Sequence, residues 1–215
     1  IARVLVMRPE VLLLDEPLSN LDSKLRMDMR AELKRLHLET GSTVIYVTHD
    51  QLEALTMSSH VAVLDKGLLQ QWDSPMTIYS KPANIFTADF IGNPRINLIE
   101  GVLRQTNGNW EVTAGELRLP LTVHGEPISL KEQKITLGLR AEDLYLSKEA
   151  GPGLFEGSVY SVLPAGSEWY IKVKLGEDIL TVTIYSDMDL RIDEPIWVGV
   201  LENKIKCFNE EGKLL

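Results

Sequence analysis

Up to about residue 94, apolar residues come in short unbroken runs separated by stretches with helical spacing. VLLL (11–14) and TVIYV (43–47) have the character of strands buried on both faces, and VAVLD (61–65) supplies a third. Between the first two, Leu25, Met29, Leu33 and Leu36 recur at spacings of three and four. That spacing predicts an amphipathic helix over 23–39, closed by Gly41. A short helix is expected over 51–58, and 3–7 is expected to be the tail of another, ended by Pro9. Strand, helix, strand, helix, strand is the pattern of a parallel α/β sheet.

After Gly92-Asn93-Pro94 the pattern changes to β-type runs with no helix of any length. NLIEGVL (97–103), ITLGL (135–139), GSVYSVL (157–163), WYIKVKL (169–175), ILTVTIY (179–185) and IWVGV (196–200) are the clearest, with KIKCF (204–208) a further candidate. Turn residues such as Asn107-Gly108 and Gly151-Pro152-Gly153 punctuate them. A two-domain chain is expected, α/β over 1–94 and an all-β barrel or sandwich over 95–215. No short-period repeat stands out.

Composition narrows the class. With 44% hydrophobic and 25% charged residues, the chain is a globular protein, and no run approaches a membrane span. The opening Ile1-Ala2-Arg3, without Met or a leader, suggests a piece of something longer. A net charge of -9, spread over both halves, argues against a nucleic-acid partner. Cys207 is the single cysteine, so no internal disulfide forms, and its place in an apparent strand predicts a buried, inert thiol.

The chemistry concentrates in VLLLDEPLSNLD (11–22). An apolar run drives into Asp15 and Glu16 side by side, where like charge and desolvation both oppose ionisation. A solvated strand end would explain the pair; so would a metal ion and a reacting phosphate. At the carboxyl end of a parallel strand, one carboxylate can hold Mg²⁺ while the next orients an attacking water. The second strand ends in TVIYVTHDQLEA, placing His49 at its carboxyl end and Asp50 where it can cap the next helix. Two strand ends aimed at one crevice are more specific than either alone.

These strings, with VAVLDKG, resemble the second half of an ABC-transporter ATPase domain, a P-loop NTPase fold. The resemblance implies that Asp15 is the Mg²⁺-associated aspartate and Glu16 the catalytic glutamate. Ser19, Asn20, Leu21 and Asp22 match the D-loop, at the interface between two ATPase subunits, and His49 matches the residue that contacts the γ-phosphate. IARVLVMRPE matches the helix after the signature motif. QQWDSPMTIYSKPANIFTADFIGNPRINLIEG, LGLRAEDLYLS and the final GKLL are similar to the OB-like β regulatory domain of carbohydrate importers of the maltose type. Ala141 departs from the arginine-proline-glutamate motif of many relatives.

The resemblance therefore implies ATP and Mg²⁺ as ligands, and a second ATPase subunit and transmembrane permease subunits as partners. It implies a cytoplasmic location on the inner face of the membrane and a sugar as the transported solute. Two alternatives stay open: an importer of a polyamine, iron or betaine, and a chain acting only as a regulatory or dimerisation module. No G-x-x-x-x-G-K-[ST] phosphate loop occurs in the 215 residues. The fragment alone is therefore expected to be inactive, and its first half to be destabilised by a gap in the parallel sheet.

The remaining residues have plainer expectations. Trp72, Trp110, Trp169 and Trp197 are scattered and expected to pack. His37 and His60 should be solvated or capping, and His124-Gly125 should form a turn. The acidic pair Glu142-Asp143 is expected at the surface.

Overall fold

The computed structural model describes residues 9–106, 109–121, 131–201 and 203–215. The expected helix over 3–7 and the turns at Asn107-Gly108 and His124-Gly125 lie outside them. The chain divides into two compact units, Ile1–Ser80 and Lys81–Leu215.

In the first unit, β1 (Val11–Asp15) and β2 (Thr43–Val47) pair in parallel, with Asp15 opposite Val47. The connecting helix α1 (Ser23–Thr40) is capped by Asp22, whose carboxylate accepts from the Leu25 N–H at 2.9 Å. It ends where Gly41, at φ 64°, turns left-handed. A second helix, α2 (Gln51–Met57), is capped by Asp50 as expected. The parallel pattern then stops. β3 (Val61–Asp65) folds back antiparallel on β4 (Leu68–Asp73) as a separate hairpin, so the expected third parallel strand is corrected. The local reason is the two-residue loop: Lys66 at φ 48° and Gly67 at φ 81° are both left-handed, the turn that matches strand twist. α3 (Pro75–Ser80) closes the unit.

Burial is one-sided. Leu12 is buried, but Val11, Leu13, Ile45 and Val47 are all at least half exposed, so β1 and β2 are not covered on both faces as their composition predicted.

The second unit opens with α4 (Ile85–Phe90), capped by Asn84. Its buried Ala88 packs with Ile96 and Phe208, which is why the structural break falls at Ser80 and Lys81 whereas composition changes near residue 94. Ten strands follow: β5 (Asn97–Thr106), β6 (Asn109–Ala114), β7 (Leu117–Leu121), β8 (Gln133–Leu139), β9 (Leu144–Ser147), β10 (Leu154–Pro164), β11 (Trp169–Leu175), β12 (Asp178–Ile184), β13 (Pro195–Val200) and β14 (Lys206–Phe208).

They form two five-stranded antiparallel sheets with orders β14-β8-β5-β6-β7 and β9-β13-β10-β11-β12. The orders coincide when β5–β8 is laid on β10–β13, an internal duplication that sequence periodicity does not show. The fifth strands are exchanged: β9 follows β8 in sequence but pairs with β13, and β14 follows β13 but pairs with β8. Both sheets contribute to one core that includes Leu103, Leu137, Leu139, Ile171, Val173 and Val198. Asn97 of β5 ties them across: its amide donates to the carbonyls of Leu139 and Thr181, and its carbonyl accepts from the Thr181 N–H at 2.7 Å.

Charged residues are buried in this unit. Asp143 is buried, not at the surface, because the 3-10 turn Ala141–Asp143 carries it toward Lys206 and Lys204, 3.9 and 3.7 Å away. Arg140 is also buried, and its guanidinium donates to the Ala88 and Ile91 carbonyls at the end of α4. Cys207 is buried and its thiol pushed up to about 12 by desolvation, the inert state its strand position predicted.

Candidate active site

Parallel pairing of β1 and β2 brings their carboxyl ends side by side, and the site is built on the residues just beyond. The Glu16 N–H donates to the Val47 carbonyl at 2.8 Å, extending the ladder by one residue. Glu16 itself sits at φ 43°, a left-handed conformation costly for a residue with a Cβ, and turns the chain sharply out of the strand. Ser19 holds that turn, with its hydroxyl donating to the Glu16 carbonyl at 2.9 Å.

On the neighbouring strand, His49 presents Nδ1 to Glu16 Oε1 at 2.9 Å. A carboxylate can only accept, so Nδ1 carries the proton in this contact. The contact and the negative charge of Glu16 raise the His49 pKa above its ordinary value, with Asp50 and Glu53 adding smaller contributions. Both side chains are exposed, 73% for His49 and 46% for Glu16. Solvent screens an exposed pair of this kind, so it does not hold its own geometry.

The support lies beneath. A small cleft is lined by Glu16, Ser19, Arg26, Thr48, His49, Asp50 and Glu53. Asp50 Oδ1 caps α2 by accepting from the N–H groups of Leu52 and Glu53, while Oδ2 pairs with Arg30 at 2.5 Å and Arg26 at 3.6 Å. Arg26 also donates to the Leu21 carbonyl at 3.0 Å, joining the loop after Glu16 to the start of α2.

The structure thus gathers Glu16, Ser19 and His49 in one cleft. Asp15 lies outside that lining, exposed at the end of β1, and the Asp22 carboxylate is occupied in capping α1. Among the described residues, no group of three or more His, Cys, Asp or Glu side chains forms a ready metal site. Sequence reasoning missed Arg26, Thr48 and Glu53. Only Glu53 left a signal, since Asp50 and Glu53 have capping-box spacing.

Known proteins resemble this chain. No family model matches the chain. It is 43% identical over 220 residues to the trehalose/maltose import ATP-binding protein MalK of Thermococcus litoralis, covering 98% of this chain and 58% of that protein. It is 37% identical over 213 residues to the sn-glycerol-3-phosphate import ATP-binding protein UgpC of Escherichia coli, covering 97% and 58%. It is 40% identical over 196 residues to an ABC-transporter ATP-binding protein, y4oS, of Sinorhizobium fredii, covering 91% and 51%. The chain belongs to the ABC-transporter ATP-binding proteins. It corresponds to the C-terminal part of the MalK and UgpC type and spans about half the length of the curated relatives it matches.

Among solved structures, the cytoplasmic molybdate-binding protein ModG is similar at 14% identity and TM-score 0.42 over 52% of this chain, too distant to bear on the site. No described helix of this ABC-family chain is long and apolar enough to cross a membrane.

Proposed function

We propose that the chain is the C-terminal part of an ATP-hydrolysing importer subunit, with Glu16 and His49 as its reacting pair. The observation that carries this is the 2.9 Å contact between the two residues at the adjacent ends of β1 and β2. Glu16 orients and polarises the attacking water. His49, holding Nδ1–H on Glu16, can offer a donor from Nε2 only as the imidazolium, and the raised pKa favours that form. It then donates to a phosphate oxygen, where negative charge accumulates during transfer.

Asp15 offers a hard oxygen ligand at an exposed strand end. That fits Mg²⁺, which keeps several waters and takes only one or two carboxylates; when bound, it neutralises phosphate charge. Ser19 and Asp22 are proposed to face the nucleotide and the second subunit as D-loop residues. The first domain, 1–94, is read as a P-loop NTPase remnant and 95–215 as an OB-like regulatory domain. A second ATPase subunit and membrane permease subunits are the partners, on the inner face of the cell membrane, and a sugar is the solute, as the name of MalK suggests.

One observation favours the reading as a regulatory module alone. The β unit closes its own core, while the strands carrying Glu16 and His49 leave an apolar face open.

The test is Mg-ATP hydrolysis by the 215 residues and by the same chain joined to the N-terminal part of a MalK-type relative. Activity only in the joined protein, lost in Glu16→Gln and His49→Ala, is expected. A joined protein in which Glu16→Gln hydrolyses ATP as the parent does would overturn the assignment.

A further inference from the structure

Glu53 is only 3% exposed, yet it sits in the first turn of α2, where its spacing from Asp50 predicts an ordinary capping box. In that motif the Glu carboxylate would reach back to the Asp50 N–H. Here the Thr48 hydroxyl oxygen accepts from the Asp50 N–H instead, at 3.0 Å. Glu53 turns toward β2: Oε2 accepts from the Thr48 hydroxyl at 2.7 Å and from the Tyr46 hydroxyl at 3.0 Å, and Oε1 lies 3.5 Å from Arg30. Burial, with Glu53 beside it, pushes the Tyr46 phenol up and keeps it a donor. The two residues flanking His49 are thereby fixed by side-chain contacts, Thr48 by Glu53 and Asp50 by Arg30 and Thr48.

We propose that Glu53 is a positioning residue for His49, acting through Thr48, with Arg30 of α1 completing the support by holding Asp50. A buried, multiply bonded group can fix an exposed ring that has no packing of its own. The inference rests on reading Glu16 and His49 as the reacting pair, and its test needs no nucleotide, so the two can fail separately.

The experiment follows the four histidine rings of the 215-residue chain by long-range ¹H–¹⁵N NMR across pH. Glu16 from the end of β1, Asp50 and Glu53 from α2, and Arg26 and Arg30 from α1 are the charges around the site. His60, stacked on Trp72 at 5.6 Å, reports that the unit stays folded. Wild-type His49 is expected to titrate above the ordinary histidine value, and Glu16→Gln to abolish the rise. Thr48→Val and Glu53→Ala should each remove at least half of it, while Glu53→Gln, which keeps an acceptor for both hydroxyls, should retain it. If Glu53→Ala loses the His60 signal, Thr48→Val decides.

A raised His49 that is indifferent to Thr48→Val overturns this inference alone. Loss of the rise in Glu53→Gln as complete as in Glu53→Ala also overturns it, because charge rather than positioning then matters. A wild-type His49 that titrates like Glu16→Gln overturns the pair itself.

Discussion

The two units handle apolar surface in opposite ways. In the β unit, strands from both sheets close on one core, and the exchanged β9 and β14 make each sheet depend on the other half of the duplication. In the α/β unit only Leu12, Leu18, Leu33, Val61, Val63 and Ile78 are buried apolar side chains among the described residues, and Leu13 stands 71% exposed. The proposed site, Glu16 and His49, sits in the open unit. Local stability tracks buried apolar contacts, so the unit that carries Glu16 and His49 is expected to open more readily than the β unit.

The sharpest way to break that contrast is a matched pair of truncations. Leu137→Ala, in the closed core, should cost about 2–5 kcal/mol of stability, whereas Leu13→Ser should fall within about 0.5 kcal/mol of the parent. Denaturant titration with unit-specific NMR signals measures both; equal costs would mean that β1 is covered after all. Cys207 gives an independent reading. Its thiol should resist a thiol reagent until the β unit unfolds, with the His60 signal lost at lower denaturant.

Within the open unit, Asp50→Ala removes a cap and two arginine contacts, and should cost about 1 kcal/mol, confined to that unit. Amide exchange in α2 against β5 and β8 would show whether the effect stays local.

The smallest effect is pH dependence. His49 has its folded pKa raised by Glu16, so the stability contributed by the pair is fully present below the ordinary histidine pKa. It fades as pH rises through the raised value. The exchange rates of β1 and β2 in wild type and Glu16→Gln should therefore differ at low pH and converge at high pH.

The local elements, and the places where chemistry could happen, were legible in the residue pattern. Apolar period, Asp50, Gly41 and the Asp-Glu strand end are written in adjacent residues, because capping, turning and amphipathic spacing act over a few positions. That pattern also marked His49 and Glu16, and parallel pairing of two neighbouring strands sufficed to bring them together. Local pattern did not reveal β6, β7 or β9, or that β3 turns back on β4 instead of joining β1 and β2.

Which residues a given residue meets depends on the packing of distant elements. Alternation along a strand says which face is apolar, not which strand lies beside it, so the exchange of β9 and β14 could not be read from the chain. The same holds for polar burial. Arg140, Asp143 and Glu53 look like surface residues until carbonyls, lysines or hydroxyls distant in sequence arrive to satisfy them, and only such partners make burying a charge tolerable.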